Sequence, residues 1–314
     1  MKPPRLRPGS LVGLVAPASY PSSPSSLRRG QRALEELGFR VRLGRHLLDC
    51  HGYLAGHDEA RAEDLNRMFA DQTVKAVFCV RGGYGSGRLL PWLDFKALKR
   101  NPKILMGYSD ITALELAILK KIGLVTFYGP MVTTEMAVDF PKDSRERMLA
   151  VLTESRPPKP IGASPEGGHV VAIQPGVATG TLVGGCLSVF VSLLGTPYEP
   201  NLDGAILFLE EVDEEPYRVD RYLTQLRLSG KLEKVAGVAV GQCINCDPRE
   251  DKPAFSPSLS CQEVLRDRLG NLGVPVLSGL DFGHGRFKAT LPQGVQARLD
   301  AHRGLLEILE PGVC

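Results

Sequence analysis

A serine lies between a strand pattern and a helix pattern in KILMGYSDITALELAILKK, which covers residues 103–121. The apolar strand ends at Gly107 and the helical period begins near Ile111, so Ser109 falls on the sharp turn between them. At the carboxyl end of a parallel strand, such a turn exposes the hydroxyl at the positive end of the helix dipole, which suits a nucleophile. The GxSxG motif of the α/β-hydrolases is absent, because an isoleucine stands two residues after the serine. The alternative is that Ser109 or Asp110 only caps the helix.

A glycine-rich loop follows another predicted strand in KAVFCVRGGYGSGR, which covers residues 75–88. Gly83 and Gly85 begin the GxGxxG pattern of dinucleotide sites, but Arg88 stands where its third glycine should be, and GxxxxGK is also absent. A glycine pair at a strand end lets a backbone N–H approach a ligand closely, as an oxyanion hole requires. Formation of a turn alone is the other interpretation.

A serine nucleophile needs a base and an acid that orients the base. Among the six histidines, His284 is flanked by Gly283 and Gly285 after an apolar strand, whereas the others lie in polar or glycine-rich segments. Glu210 and Glu211 end the strongest strand pattern of the second half, AILFLEE. Alternation along a strand places them on opposite faces, so only one of them can face the site. This pattern does not choose between the two.

The elements that must position these residues suggest an α/β fold with two domains. Residues 1–137 alternate short β-branched runs with helical periods, which is typical of a parallel sheet covered by helices. Residues 138–175 are rich in Pro, Glu, Ser and Gly and are predicted to be a linker, and residues 176–314 read as a second, more β-rich domain. The predicted strands of the first domain are 11–16, 39–43, 74–80, 104–108 and 125–128, and its helices are 26–38, 58–71 and 111–123.

Composition excludes several classes of protein. The chain has 38 Lys and Arg and 35 Asp and Glu, interspersed along its length, which argues against a nucleic-acid partner. No apolar run approaches the roughly 18 residues of a membrane span. Seven irregularly spaced cysteines do not form a disulfide framework, so we expect reduced thiols and a cytoplasmic location. Cys243 and Cys246 have CxxC spacing without a second pair, so we expect them to be structural, with no metal bound.

Several motifs, in this order along the chain, resemble the LD-carboxypeptidase family of serine peptidases, which includes the microcin C7 immunity proteins. The motifs are VAPAS at 15–19, RGGYG at 81–85, GYSDIT at 107–112, FYGPM at 127–131, GTLVGGCL at 180–187, LFLEEVDEEPYRVDR at 207–221 and DFGHG at 281–285. The resemblance implies a flavodoxin-like or amidotransferase-like N-terminal domain, a β-rich C-terminal domain and a homodimer. It also implies a Ser-His-Glu triad that needs no metal or cofactor.

Carried over by position, the resemblance assigns each candidate residue a role. The nucleophile is Ser109, the base is His284, the orienting acid is Glu210, and the oxyanion donors are the N–H groups of Gly83 and Asp110, with Gly82 as the alternative to Gly83. An exopeptidase also needs a group that binds the substrate carboxylate, for which Arg81 and Arg88 are candidates. Cys186 stands where the family usually has Asn, and its poorer hydrogen bonding affects the expected substrate preference but not the triad.

The resemblance implies hydrolysis of the amide between an L-configured centre and terminal D-Ala in the tetrapeptide of cytoplasmic muropeptides. Hydrolysis of microcin-type peptidyl nucleotides is an alternative that would need an aromatic platform, but the only tryptophan is Trp92, in the first domain, and the second domain has no evident aromatic insertion. A binding protein that has the fold without the chemistry is another alternative. A glutaminase of the amidotransferase type would need cysteine where this chain has Ser109.

Overall fold

A computed structural model describes residues 1–163, 168–251 and 253–314 of the chain. The chain forms two compact units. The first comprises Met1–Pro157, Thr290–Gly294 and Pro311–Cys314, and the second comprises Pro158–Ala289 and Val295–Glu310.

The helices and strands alternate along most of the chain. The helices are α1 Pro24–Glu36, α2 Asp58–Ala70, α3 Phe95–Arg100, α4 Thr112–Ile122, α5 Lys142–Thr153, α6 Leu187–Ser192, α7 Pro216–Leu228 and α8 Cys261–Leu269. The strands are β1 Leu11–Val15, β2 Arg40–Leu43, β3 Val74–Cys79, β4 Ile104–Gly107, β5 Thr126–Tyr128, β6 Val171–Gln174, β7 Val177–Cys186, β8 Ile206–Val212, β9 Gly237–Ile244, β10 Val276–Ser278, β11 Leu291–Gln293, β12 Gln296–Asp300 and β13 Leu305–Ile308. Short 3-10 turns cover Ser86–Trp92, Ser109–Ile111 and Leu232–Lys234, and a π-helical turn covers Val132–Met136.

The first unit is built on a sheet with the order β11-β5-β4-β3-β1-β2. Strands β1 to β5 pair in parallel, and β11 pairs antiparallel with β5. The parallel strands have the order 2-1-3-4-5 of flavodoxin-like folds, which confirms the predicted fold class. Their apolar runs are continuous because both faces of the sheet are covered, and every residue of β1 and β4 is buried.

The carboxyl ends of β1, β3 and β4 lie side by side in this sheet. The order of connections reverses between β1 and β3, and open α/β sheets bind ligands at such a switch point. The loops that follow these strands carry VAPAS, RGGYG and the turn at Ser109. The fold therefore brings three of the sequence motifs to one edge.

The second unit contains a larger mixed sheet with the order β13-β12-β7-β8-β9-β10-β6. Strands β7 to β10 are parallel, whereas β6, β12 and β13 join antiparallel at the two sides. Strand β8 lies in the middle of the sheet, and six of its seven residues are buried. The second unit is the more strand-rich one, as predicted.

The division between the units differs from the predicted linker at 138–175. Helix α5 and strand β6 lie inside that range, and residues 164–167 of it lie outside the described residues. Helix α5 buries Ser144, Met148, Val151 and Leu152, which have the i, i+4, i+7, i+8 spacing of an amphipathic helix. The division falls between Pro157 and Pro158. Strand β11 and the last four residues, predicted to be in the second domain, belong to the first unit.

No helix among the described residues is both long enough and apolar enough to cross a membrane.

Candidate active site

Ser109 occupies the turn between β4 and α4 in a left-handed backbone conformation, with φ of 63°. This conformation is unfavourable for a residue with a side chain, so the surrounding contacts must hold it. One of them is a hydrogen bond of 3.2 Å from the Ser109 N–H to the hydroxyl of Tyr128, at the end of β5. The strained strand-turn-helix geometry is that of a nucleophile elbow, although the GxSxG sequence is missing.

The backbone of Gly82 lies directly against the Ser109 side chain. A Cβ atom at Gly82 would be 3.0 Å from Ser109 Cβ and 3.2 Å from its Oγ, which is tighter than ordinary van der Waals contact, so a larger residue would press against the serine. The Gly82 carbonyl accepts a hydrogen bond of 3.2 Å from the Ser19 N–H. Because C=O and N–H point in opposite directions across a trans peptide, the N–H of Gly83 points away from Ser19. The role of this N–H as an oxyanion donor stays a prediction.

Asp110 joins the Ser109 turn to the glycine-rich loop. Its Oδ2 accepts a hydrogen bond of 2.8 Å from the Ser86 N–H, and its carbonyl accepts one from the Ser86 hydroxyl. Burial raises the pKa of the Asp110 carboxyl, while hydrogen bonds from Ser86 and Gly85 and the positive charge of Arg61 oppose that rise. The turn and the loop are therefore held together by a buried carboxyl group.

Glu210 and His284 are in direct contact in the second unit. The distance from Glu210 Oε2 to His284 Nδ1 is 2.7 Å, and the same oxygen accepts the His284 backbone N–H at 3.2 Å. A Cβ atom at Gly283 would lie 2.6 Å from Glu210 Oε2, so the glycine before the histidine permits this approach. A carboxylate on Nδ1 fixes the tautomer in which Nε2 can accept a proton. The pair has the geometry of an oriented general base.

Glu211 faces a different set of partners. Its Oε2 accepts a hydrogen bond of 2.7 Å from the Ser188 N–H at the start of α6, and its Oε1 lies 3.3 Å from Cys186 Sγ. Burial raises the pKa of the Glu211 carboxyl, and the charge of Glu210 adds to this. Burial and the two carboxylates also raise the pKa of the Cys186 thiol well above its usual value, so the thiol stays protonated and donates to Glu211. Glu210 is thus the member of the acidic pair that contacts His284.

The two arginines predicted to bind the substrate carboxylate have different surroundings. Arg88 forms an ion pair of 3.0 Å with Asp58. Arg81 donates a long hydrogen bond of 3.4 Å to the Tyr20 carbonyl, and its buried Nε has no hydrogen-bond partner among the described residues. Arg81 therefore has the greater unused donor capacity of the two.

Ser19 and Tyr128 contribute to the geometry of this site but have no role in the sequence prediction. The Ser19 hydroxyl accepts a hydrogen bond of 3.4 Å from the Tyr84 N–H, and Tyr128 holds the Ser109 backbone. The signal for both was their position, because each follows or ends a strand whose carboxyl end borders the same edge of a parallel sheet.

The CxxC pair lies at the end of β9, and both cysteines are unpaired by disulfides. The Cys246 thiol is buried and donates to the Ile244 carbonyl at 3.4 Å. Within the described part of the chain, no group of three or more His, Cys, Asp or Glu residues is arranged to hold a metal ion.

Comparisons with known proteins decide the family. A model of the LD-carboxypeptidase N-terminal domain matches residues 12–129, and a model of the LD-carboxypeptidase C-terminal domain matches residues 179–299. The chain belongs to the LD-carboxypeptidase family. The sequence resemblance is thereby confirmed, and membership supports a serine peptidase activity of the carboxypeptidase type.

Named members of the LD-carboxypeptidase family align over nearly the whole chain. A probable murein peptide carboxypeptidase of Bacillus subtilis is 41% identical, over 99% of this chain and 95% of its own length. The crystal structure of a muramoyltetrapeptide carboxypeptidase from Oxalobacter formigenes has a TM-score of 0.83 at 31% identity, covering 96% of this chain and 99% of its own. The microcin C7 self immunity protein MccF has a TM-score of 0.89 at 26% identity, covering 100% of both chains.

Proposed function

We propose that the protein is a serine carboxypeptidase that releases the terminal D-Ala from the tetrapeptide of cytoplasmic muropeptides, as peptidoglycan recycling requires. The bond cleaved joins an L-configured centre to D-Ala. The observation that carries the proposal is the 2.7 Å contact of Glu210 with His284, in a family member that also has a strained serine turn. The 41% identity to a probable murein peptide carboxypeptidase supports this substrate class.

In the proposed mechanism, Ser109 is the nucleophile and His284 is the general base. His284 Nε2 takes the proton of the Ser109 hydroxyl as Oγ bonds to the amide carbon. Glu210 holds the ring in the required tautomer and stabilises the imidazolium that forms. The protonated histidine then gives its proton to the nitrogen of D-Ala as the C–N bond breaks. Water, activated by the same histidine, hydrolyses the resulting ester on Ser109.

The tetrahedral oxyanion in this mechanism is bound by backbone N–H groups. The proposed donors are Gly83 and Asp110, with Gly82 as the alternative to Gly83. Each donor is expected to lower the barrier by about 3 kcal/mol. The close approach of Gly82 to Ser109 supports an oxyanion site at this loop. Apart from the substrate and the hydrolytic water, the proposed steps use side chains and backbone groups of this chain.

Arg81 is the proposed partner of the free carboxylate of D-Ala, because Arg88 is already paired with Asp58. A guanidinium can bind a carboxylate through two parallel hydrogen bonds, which would favour a terminal residue over an internal one. A homodimer is also part of the proposal, and size-exclusion chromatography with light scattering tests it. A monomer at micromolar concentration would contradict the dimer.

Hydrolysis of microcin-type peptidyl nucleotides is the second candidate function. The TM-score of 0.89 to the microcin C7 self immunity protein favours it. The side chain of Trp92, which is 48% exposed, is an aromatic surface available to a nucleobase in the first unit.

A panel of substrates tests the proposal against its alternatives. The panel contains a muropeptide tetrapeptide ending in D-Ala, its diastereomer ending in L-Ala, and an aminoacyl sulfamoyl adenosine, with products identified by mass spectrometry. We expect release from the D-Ala peptide only. Cleavage of the nucleotide alone would favour the second candidate, and binding of the tetrapeptide without turnover would indicate a binding protein.

A further inference from the structure

Arg61 on α2 is a buried cation with no role in the proposed chemistry. Its side chain is 0% exposed. One terminal nitrogen donates to the carbonyl of Pro17 and, at 2.9 Å, to that of Gly85, and the other pairs with Asp58. Burying a charged guanidinium costs several kcal/mol unless its donors are well matched. A buried charge of this kind therefore calls for a role beyond packing.

The two carbonyl groups that Arg61 contacts belong to the loops at the Ser109 edge of the sheet. Pro17 lies in the loop after β1, and Gly85 ends the RGGYG loop after β3. The same loops are joined by the hydrogen bonds between Ser19 and the backbone of Gly82 and Tyr84. Arg61 is therefore a second crosslink between them, located on their buried side.

The crosslink extends to the serine turn. Ser86, which directly follows Gly85, donates to the carboxyl of Asp110. The charge of Arg61 also attracts that carboxyl and opposes the rise in its pKa caused by burial. Gly85 is thus held by Arg61 through its carbonyl, and the next residue, Ser86, is hydrogen-bonded to Asp110.

We propose that Arg61 is a positioning residue that sets the distance between the RGGYG loop and Ser109, and so places the loop N–H on the oxyanion. This inference rests on the proposed function, because it assumes an oxyanion site at that loop. Arginine is required because its planar fork donates in fixed directions to two carbonyl groups and one carboxylate, whereas a lysine offers a single point charge. Arg61 does not touch the substrate in this account.

Two substitutions separate the geometry of Arg61 from its charge. Arg61→Lys keeps the charge but loses the fork, and we expect kcat to fall by about 10- to 100-fold, since small displacements of catalytic groups cost factors of this size. KM should change less than kcat, because Arg81, the proposed partner of the substrate carboxylate, lies near the end of β3 and four residues before Gly85. Arg67→Lys is the matched control: Arg67 lies on the same helix and pairs with Asp64, which binds the backbone after β2, and this variant should keep kcat within about threefold.

The pH profile supplies a readout that a purely structural role would not move. In Arg61→Met the Asp110 carboxyl loses its nearby positive charge, so it takes up a proton at higher pH. The other groups that face it are the Ser86 and Gly85 N–H groups and the buried Cys79 thiol, whose own raised pKa keeps it neutral. We therefore expect the acid limb of kcat to move to higher pH in Arg61→Met but not in Arg61→Lys.

Labelling of Ser109 with a fluorophosphonate separates this inference from the choice of substrate. The attack of Ser109 on a fluorophosphonate also develops a negative oxygen at the proposed oxyanion site, but it needs no peptide substrate. The inference predicts labelling at least tenfold slower in folded Arg61→Lys than in wild type, with thermal melting used to verify folding. Equal labelling rates and equal kcat in folded Arg61→Lys would overturn it. Wild-type labelling without tetrapeptide cleavage would overturn only the proposed substrate.

Discussion

A single oxygen of Glu210 contacts His284 twice, at 2.7 Å on the ring Nδ1 and at 3.2 Å on the backbone N–H. The two hydrogen bonds fix the ring relative to its own main chain, so the imidazole cannot turn without losing its partner. The next residue, Glu211, binds the start of α6 instead. The two consecutive carboxylates of β8 therefore have different roles: Glu210 orients the proposed base, and Glu211 binds the first turn of α6.

Substitution of the two glutamates should separate these tasks. Glu210→Gln places an amide against Nδ1 and favours the wrong tautomer, and we expect kcat to fall by about 10²- to 10⁴-fold, as in other triads. Glu211→Gln keeps an acceptor for the Ser188 N–H and should stay within about fivefold of wild type. Steady-state kinetics on a D-Ala tetrapeptide checks both. An inactive Glu211→Gln beside an active Glu210→Gln would reverse the assignment.

Because Gly82 packs against Ser109, adding one methyl group at position 82 is expected to lower kcat. In Gly82→Ala the new Cβ would lie 3.0 Å from Ser109 Cβ, so the loop or the nucleophile must move. We expect kcat to fall by at least about tenfold. Gly87→Ala is the matched control, because its Cβ would meet only Ala113 Cβ at 3.8 Å. Equal activity of the two variants would contradict the close packing of loop and nucleophile.

Glu115 on α4 predicts a pH-dependent stability. Its carboxyl is completely buried, accepts hydrogen bonds from Gln293 at 2.7 Å and from the Gly107 backbone, and burial raises its pKa well above the usual value. The unfolded chain releases this proton above about pH 4.3, whereas the folded chain keeps it to higher pH. The folded state therefore binds more protons in this window, and its stability falls as pH rises.

Replacing Glu115 with Gln should remove that dependence, because the amide is neutral at every pH. Urea unfolding at pH 5 and pH 8 should show a stability advantage of Glu115→Gln over wild type that is larger at pH 8. The exposed Glu59→Gln serves as control and should show no such change. A difference that is the same at both pH values would contradict a raised pKa of Glu115.

The cysteines should differ in reactivity according to burial. Cys50 and Cys314 are exposed, whereas Cys79 and Cys186 are buried with thiol pKa values raised well above normal by burial. Because the thiolate is the reactive form, iodoacetamide should alkylate the first two and leave the last two unmodified in the folded protein. Peptide mass spectrometry locates the label. Fast alkylation of Cys186 would show that the thiol beside Glu211 is accessible and ionised.

Much of the fold could be predicted because buried parallel strands have continuous apolar runs. Such runs place the strand ends near Val15 and Gly107 within about a residue, and the alternation of strands and helices predicts that these strands pair in parallel. The strand order does not follow from the alternation, because the same alternation is compatible with several orders. Helix α5 was missed although its buried positions have helical spacing, because the Pro-, Ser- and Gly-rich residues that follow it led the whole of 138–175 to be predicted as a linker. Strand β6, at the edge of its sheet, is only half-buried and carries a weak apolar signal.

Local sequence patterns predicted candidate residues of the site but not the contacts between residues distant in sequence. Alternation along β8 places Glu210 and Glu211 on opposite faces, but the position of His284 decides which of them faces the base. Arg61 gives no local signal, since it is one of several charged residues on the helix predicted at 58–71. Its partners Pro17 and Gly85 are 44 and 24 residues away in sequence.

The central claim is that Ser109 is the nucleophile of an LD-carboxypeptidase, and D-Ala release by wild type and Ser109→Ala tests it most directly. Both proteins are incubated with the same muropeptide tetrapeptide, and released D-Ala is quantified by mass spectrometry, with the exposed Ser25→Ala as control. The account predicts release by wild type and Ser25→Ala and a loss of at least about 10³-fold in a folded Ser109→Ala. Comparable release by Ser109→Ala would contradict it.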